Sequence, residues 1–183
     1  MEIKRVGVIG AGQMGNGIAH VFAVAGFDVA LHDVSAAALD AAPGIIRGNL
    51  DRQVARGRIT EAERDAALGR VRLEPELAAI GASDLVIEAA TEKEELKHRI
   101  FGALVPHLRP ETILTSNTSS ISITRLASGT DRPERFMGFH FMNPVPVMQL
   151  VELIRGIATD EPTYRTLLEA VLPIFSTTPS SVR

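Results

Sequence analysis

The chain has 183 residues, of which 45% are hydrophobic, 22% charged and 4% aromatic, with a formal net charge of −3. These proportions suit one globular domain with a sizeable core and argue against a nucleic-acid surface, which would need a basic patch or stacking aromatics. The absence of cysteine excludes disulfides, thiolate metal sites and a cysteine nucleophile, and we assign no metal site. No apolar run approaches the roughly 18 residues of a membrane span. The first strand begins by Lys4, which leaves no room for a signal peptide, so no membrane contact and a cytoplasmic location are expected.

Val6, Val8 and Ile9 form a short apolar run suited to a buried parallel strand, and it breaks into Gly10, Gly12 and Gly15. Ile18, Ala19, Val21 and Phe22 then recur at helical spacing. In this strand, turn and helix the first glycine permits the sharp turn, the second lets backbone approach a pyrophosphate, and the third lets helix and strand pack closely. The helix N-terminus offers unpaired N–H groups to the phosphates. Asp28 to Asp33 reads as a second strand, and Asp33 follows Gly15 by 18 residues, where an acid bonds the adenosine ribose and repels a 2′-phosphate. The alternative, a generic turn with Asp33 as a helix cap, does not account for all these features in register. The reading is therefore dinucleotide binding, with NAD favoured over NADP.

Ser35 caps a predicted helix from Ala36 to Ala42, which Pro43-Gly44 should interrupt or kink before Ile45 to Arg56 resume it. Arg47, Arg52, Arg56 and Arg58 read either as a solvated face or as a contact for ligand phosphates. Thr60 to Glu63 has the form of a capping box, opening a helix to Leu68. Arg70 to Leu73 suggests a third strand, Leu85 to Ala89 a buried fourth, and Glu92 to Val105 an amphipathic helix closed by Pro106. Thr112 to Ser116 is a further strand, Ile121 to Ala127 a short helix, Phe136 to Phe141 and Gln149 to Ile154 strands, and Pro162 to Phe175 a helix.

This alternation predicts an α/β fold with a Rossmann-type doubly wound, mostly parallel sheet over a single domain, 1–183. Ligands bind such sheets outside the carboxyl ends of the strands. Gly10 to Gly15, Asp33, Glu88 to Glu92, Asn117 to Ser120 and His140 to Asn143 all fall at such ends and should converge on one crevice. His140 is the strongest candidate base, because imidazole can take the proton of an alcohol as hydride leaves for a nicotinamide. Glu152, set among Val151, Leu153 and Ile154, is expected to be a buried carboxylate paired with His140, fixing its tautomer. Ser119 reads equally as a donor to a substrate oxygen and as the cap of the helix near Ile121. His20, His32, His98 and His107 read as packing or solvent histidines.

GAGQMG from Gly10, IEAATE from Ile87, SNTSS from Ser116 and GFHFMNPVPVMQLVELI from Gly138 together resemble the L-3-hydroxyacyl-CoA dehydrogenases, including the bacterial 3-hydroxybutyryl-CoA enzymes. The resemblance runs from Met1 to Phe175, and its histidine-centred segment is far more specific than the glycine motif. It implies NAD-linked interconversion of 3-hydroxyacyl-CoA and 3-oxoacyl-CoA, with His140 as base, Glu152 as its orienting acid and Ser119 on the reacting oxygen. It also implies a cofactor site of Gly10, Ala11, Gly12, Gln13, Met14, Gly15 and Asp33, with Glu92, Lys97, Ser119 and Asn143 near the ribose and nicotinamide and Asn117 adjacent. Asn49 and Arg56 stand where the family has a serine and a lysine toward CoA. The family continues into a helical domain that completes the acyl pocket and forms a homodimer, whereas this sequence ends at Arg183, so NAD binding with weak turnover is expected. The competing readings are a dehydrogenase of another small hydroxy acid or sugar acid, resembling L-gulonate dehydrogenase, and a non-catalytic dinucleotide-binding relative.

Overall fold

The computed structural model describes residues 1–176; the stretch Thr177 to Arg183, where the resemblance places the departure from the family, lies outside the described residues. Seven strands form one sheet: β1 (Arg5–Ile9), β2 (Asp28–His32), β3 (Val71–Glu74), β4 (Leu85–Glu88), β5 (Ile113–Ser116), β6 (Phe136–Phe141) and β7 (Val151–Arg155). Their order is β3-β2-β1-β4-β5-β6-β7, and every pairing is parallel except that of β6 with β7. The chain leaves β1 toward one edge and returns through β4 toward the other, so β1 and β4 flank the point where the winding reverses. That is where an open parallel sheet leaves a crevice.

Register aligns the functional positions. Ile9 lies opposite His32 and Glu88, Glu88 opposite Ser116, and Ser116 opposite Gly138. The residues that follow β1, β2, β4 and β5 are Gly10, Asp33, Ala89 and Asn117, so the polar stretches emerge along one rim.

The helices are α1 (Gln13–Val24), α2 (Ala36–Ala55), α3 (Glu61–Arg70), α4 (Glu94–Leu104), α5 (Ile123–Ser128) and α6 (Glu161–Ser176). Strand residues alternate between two apolar layers. Val6, Val8, Leu85, Ile87, Phe139 and Phe141 belong to the layer beneath α1 and α2, while Ile9, Val86, Leu114 and Phe136 belong to the layer that contains Phe101 of α4 and Leu126 of α5. Phe22 of α1 meets Phe27, Phe139 and Phe141 edge-on at 5.3 to 6.1 Å, which locks the first helix to the strand that carries His140. No helix among the described residues is long and apolar enough to cross a membrane.

Of the helix boundaries that differ from the sequence expectation, which include the start of α5 at Ile123 and the end of α3 at Arg70, two have a cause in the packing. Pro43 does not end the second helix, because the buried stripe Leu39, Ala42, Ile46 and Leu50 continues on both sides of it and holds the helix to the core. Pro43 itself faces solvent, away from that stripe. The fourth helix starts at Glu94 rather than Glu92, which leaves Glu92 in the connection where its carboxylate bonds across to the turn after β5. The capping box of Thr60 and Glu63 is formed as read, with Thr60 Oγ1 accepting from Glu63 N–H at 3.2 Å.

Gly10 turns the chain at φ +106°, and a Cβ on Gly15 would lie 1.6 Å from the Gly10 carbonyl oxygen, whereas one on Gly12 would meet nothing within 4 Å. Gly15→Ala should therefore destabilise the fold by about 3 kcal/mol or more, and Gly12→Ala by less than about 1 kcal/mol, measured by urea unfolding. His20 supplies a pH signature. Buried and bonded by Nε2 to Gln53 Oε1 at 3.1 Å, it has its pKa lowered from 6.5 to about 4, chiefly by desolvation. The unfolded chain then binds the extra proton between those values, so stability falls by about 3 kcal/mol as pH drops from 6.5 toward 4. His20→Gln should flatten that part of the stability profile.

Candidate functional site

The turn between β1 and α1 meets the requirements of a pyrophosphate cradle. Gly12 caps α1 without a side chain to occupy the first-turn N–H groups, and the space around its α-carbon is open. Asn16 Nδ2 donates to Ala11 O at 2.8 Å and steadies the turn from within the helix. Asp33 does not cap α2. Ser35 does, accepting from Ala38 N–H at 3.2 Å. Asp33 instead accepts the Ala11 N–H on Oδ2 at 2.7 Å and the Ser35 N–H on Oδ1 at 2.8 Å. Each oxygen keeps a free acceptor position at the end of β2, suited to a pair of ribose hydroxyls. The open glycine, the unpaired helix terminus and this carboxylate fit a dinucleotide.

At the far end of the rim, His140 and Glu152 face each other across the antiparallel ladder, and His140 Nδ1 lies 2.8 Å from Glu152 Oε2. The pairing expected from sequence is formed, but the expected burial is not. The Glu152 side chain is 51% exposed and that of His140 only 18%. Strand β7 is the sheet edge, so Val151 to Ile154 are only partly covered, and the apolar neighbours do not enclose the acid.

The two ends are joined by the loops after β4 and β5. Asn117 N–H donates to Glu88 O at 2.8 Å, while Asn117 Oδ1 accepts the Phe141 N–H at 2.8 Å and ties the end of β5 to the residue beside His140. Ser119 is exposed and does not cap α5, a role taken by Ser122. Its N–H and hydroxyl both point to Glu92 Oε1, at 3.1 and 3.4 Å. Asn143 is exposed just beyond β6. Lys97 differs from Glu92, Ser119 and Asn143 in being 0% exposed, with its Nζ 2.5 Å from Glu88 Oε2 and 3.9 Å from Glu92 Oε2. The sequence reading passed over this use of Glu88; an acid closing a buried apolar strand, ahead of a lysine on the following helix, was the available signal.

Asn49 and Arg56 lie two turns apart on α2, away from the glycine turn. Asn49 Oδ1 accepts from Arg52, and Arg56 is exposed at the helix C-terminus. Of the basic cluster, Arg58 borders a groove with Gln53 and the 145–149 segment that follows the histidine strand.

Known proteins resemble this chain along nearly all of its length. The family model for the 3-hydroxyacyl-CoA dehydrogenase NAD binding domain matches residues 5–179. A 3-hydroxybutyryl-CoA dehydrogenase from Bradyrhizobium diazoefficiens is 60% identical over 169 residues, covering 92% of this chain and 58% of that protein. The crystal structure of (S)-3-hydroxybutyryl-CoA dehydrogenase from Ralstonia eutropha superposes with a TM-score of 0.92 at 43% identity, covering 94% of this chain and 61% of that one. For the 3-hydroxybutyryl-CoA dehydrogenase structure from Escherichia coli the TM-score is 0.92 at 44% identity, with 95% and 37% covered. The chain thus spans less than two thirds of the length of these relatives. The chain belongs to the 3-hydroxyacyl-CoA dehydrogenase NAD-binding domain family.

Proposed function

We propose that this chain binds NAD in the crevice at the ends of β1 and β4 and serves the reversible oxidation of (S)-3-hydroxyacyl-CoA to 3-oxoacyl-CoA. The observation that carries the reaction is the contact of 2.8 Å between His140 Nδ1 and Glu152. The Glu152 carboxylate accepts a hydrogen bond from Nδ1–H, which leaves the Nε2 lone pair free to take the proton of the substrate hydroxyl and stabilises the imidazolium that results. Bound NAD supplies the hydride acceptor. In the opposite direction His140 Nε2 returns the proton to the ketone oxygen.

The first-turn backbone of α1, from Gly12 through Gln13 and Met14, holds the pyrophosphate, with Gly10, Ala11 and Gly15 shaping the turn, and Asp33 takes the ribose hydroxyls. Glu92, Asn117, Ser119 and Asn143 border the nicotinamide end, with Lys97 beneath them. Ser119 contacts the reacting oxygen, and Asn49 with Arg56 faces the CoA moiety. The relatives are named for more than one acyl group, 3-hydroxybutyryl-CoA and 3-hydroxyadipyl-CoA, and the proposal is accordingly for the acyl-CoA class.

Calorimetric titration with NADH tests the cofactor assignment. Binding should weaken at least about tenfold in Asp33→Ala, a loss of about 1.4 kcal/mol, and NADPH should bind the parent chain more weakly than NADH. A parent chain that binds neither cofactor would overturn the assignment. For the chemistry, NADH oxidation by acetoacetyl-CoA should fall by about 10² to 10⁴ in His140→Gln with NADH affinity retained. Turnover unchanged in that variant would remove His140 from the mechanism.

A further inference from the structure

Beneath the crevice lie two charged side chains for which proton transfer at His140 has no use. Glu88, the last residue of β4, and Lys97, on the second turn of α4, both have side chains with 0% exposure. Both oxygens of Glu88 are engaged. Its Oε1 accepts the Ala90 N–H at 2.9 Å, and its Oε2 accepts the Ser116 hydroxyl at 2.9 Å and the Lys97 ammonium at 2.5 Å. An ammonium taken out of water needs a carboxylate of this kind to offset its desolvation. It has three donors, however, and Glu92 Oε2 stands 3.9 Å from the same nitrogen.

Glu92 carries the connection onward. Its second oxygen, Oε1, gathers the Thr118 hydroxyl at 2.6 Å, the Ser119 N–H at 3.1 Å, and the hydroxyls of Ser119 and Ser120 at 3.4 and 3.2 Å. One carboxylate in the loop after β4 therefore joins a buried charge to the turn after β5. We propose that Lys97 acts through Glu92 as a positioning residue: Glu88 fixes its ammonium under the loop, the ammonium holds Glu92 as an anion, and the anion gathers the 118–120 turn so that the Ser119 hydroxyl stands at the crevice. This rests on reading Ser119 as the contact to the reacting oxygen.

The other groups around Glu92 fit this division of labour. From α4 the charge facing it is Lys97, and from the turn after β5 it meets neutral hydroxyls and an N–H. Its chain neighbours are Lys93, which is exposed, and Glu94, which is turned toward Arg125 at 2.7 Å and His98 at 3.8 Å. Burial acts to raise the pKa of Glu92, but the Thr118 hydroxyl, the Ser119 N–H, the Lys97 charge and the Ser120 hydroxyl outweigh it and leave the group below its ordinary value. The anion, and with it the ordered turn, is thus present above that lowered pKa and lost as pH falls through it.

The test is an acid titration of the full chain followed by two-dimensional ¹H–¹⁵N NMR, reading the Ser119 amide that donates to Glu92. In the parent chain its shift should follow Glu92 with a midpoint below the ordinary glutamate value. The double variant Glu88→Gln/Lys97→Met removes the pair as a unit and leaves no lone buried charge; there the midpoint should rise by about one pH unit. Glu92→Gln, a change at a side chain with 46% exposure, should abolish the Ser119 response and shift the amides of the 118–120 turn, with the rest of the spectrum unaltered. An unchanged midpoint in the double variant, or a Ser119 titration that survives Glu92→Gln, overturns the proposal. NADH titrations of the same samples report separately on the cofactor assignment, since the network is judged on the ligand-free midpoints alone.

Discussion

The contact on which the rest of the structure depends is the close approach of α1 to the turn that leaves β1. A glycine at position 15 lets the helix sit against the Gly10 carbonyl at a distance that no side chain permits. Phe22, two turns further along, then reaches Phe139 and Phe141. Helix α1 therefore serves two ends of the crevice at once. Its N-terminus opens on the glycine turn, and its last turns fix the strand that carries His140.

A second level of organisation is polar and runs along the rim of the sheet. Asp33 reaches from β2 to the Ala11 amide, Asn117 from β5 to the Phe141 amide, and Glu88 from β4 to Ser116 and Lys97. The bonds to Ala11, Phe141 and Ser116 each tie the end of one strand to the end of its neighbour in the sheet, and the bond to Lys97 ties β4 to the helix that follows it. These loops carry few apolar side chains of their own, so the carboxylates and the amide set their relative positions. Water-exposed ion pairs would do this poorly, but the Glu88 and Lys97 pair is fully enclosed and therefore resists screening.

The sheet, its near-complete parallel pairing and the convergence of motifs on one rim were legible because apolar runs alternate with amphipathic ones, and because glycine and proline mark the boundaries. The misreadings have physical causes. Pro43 signals a break only when the helix around it lacks a continuing buried stripe, and here Leu39 to Leu50 supply one. The start of α4 moved because Glu92 found better partners across the loop than within a first helical turn. Glu152 looked buried from its neighbours, yet burial of a strand depends on its place in the sheet, and β7 is an edge. The seclusion of Lys97 had one local sign, the acid Glu88 that closes the apolar strand just before its helix.

The antiparallel seat of β7 has one more consequence. His140 and Glu152 meet because they are register partners in a two-strand ladder, with a connection of Met142 to Leu150 between the strands. Side chains alternate faces along a strand, so sliding β7 by a single residue would carry the carboxylate through the sheet to the opposite layer. The slip would also turn Val151 and Leu153 away from the layer they pack against. The seat of β7 on β6 is therefore a two-valued choice of face, and only one value sets the carboxylate beside the imidazole.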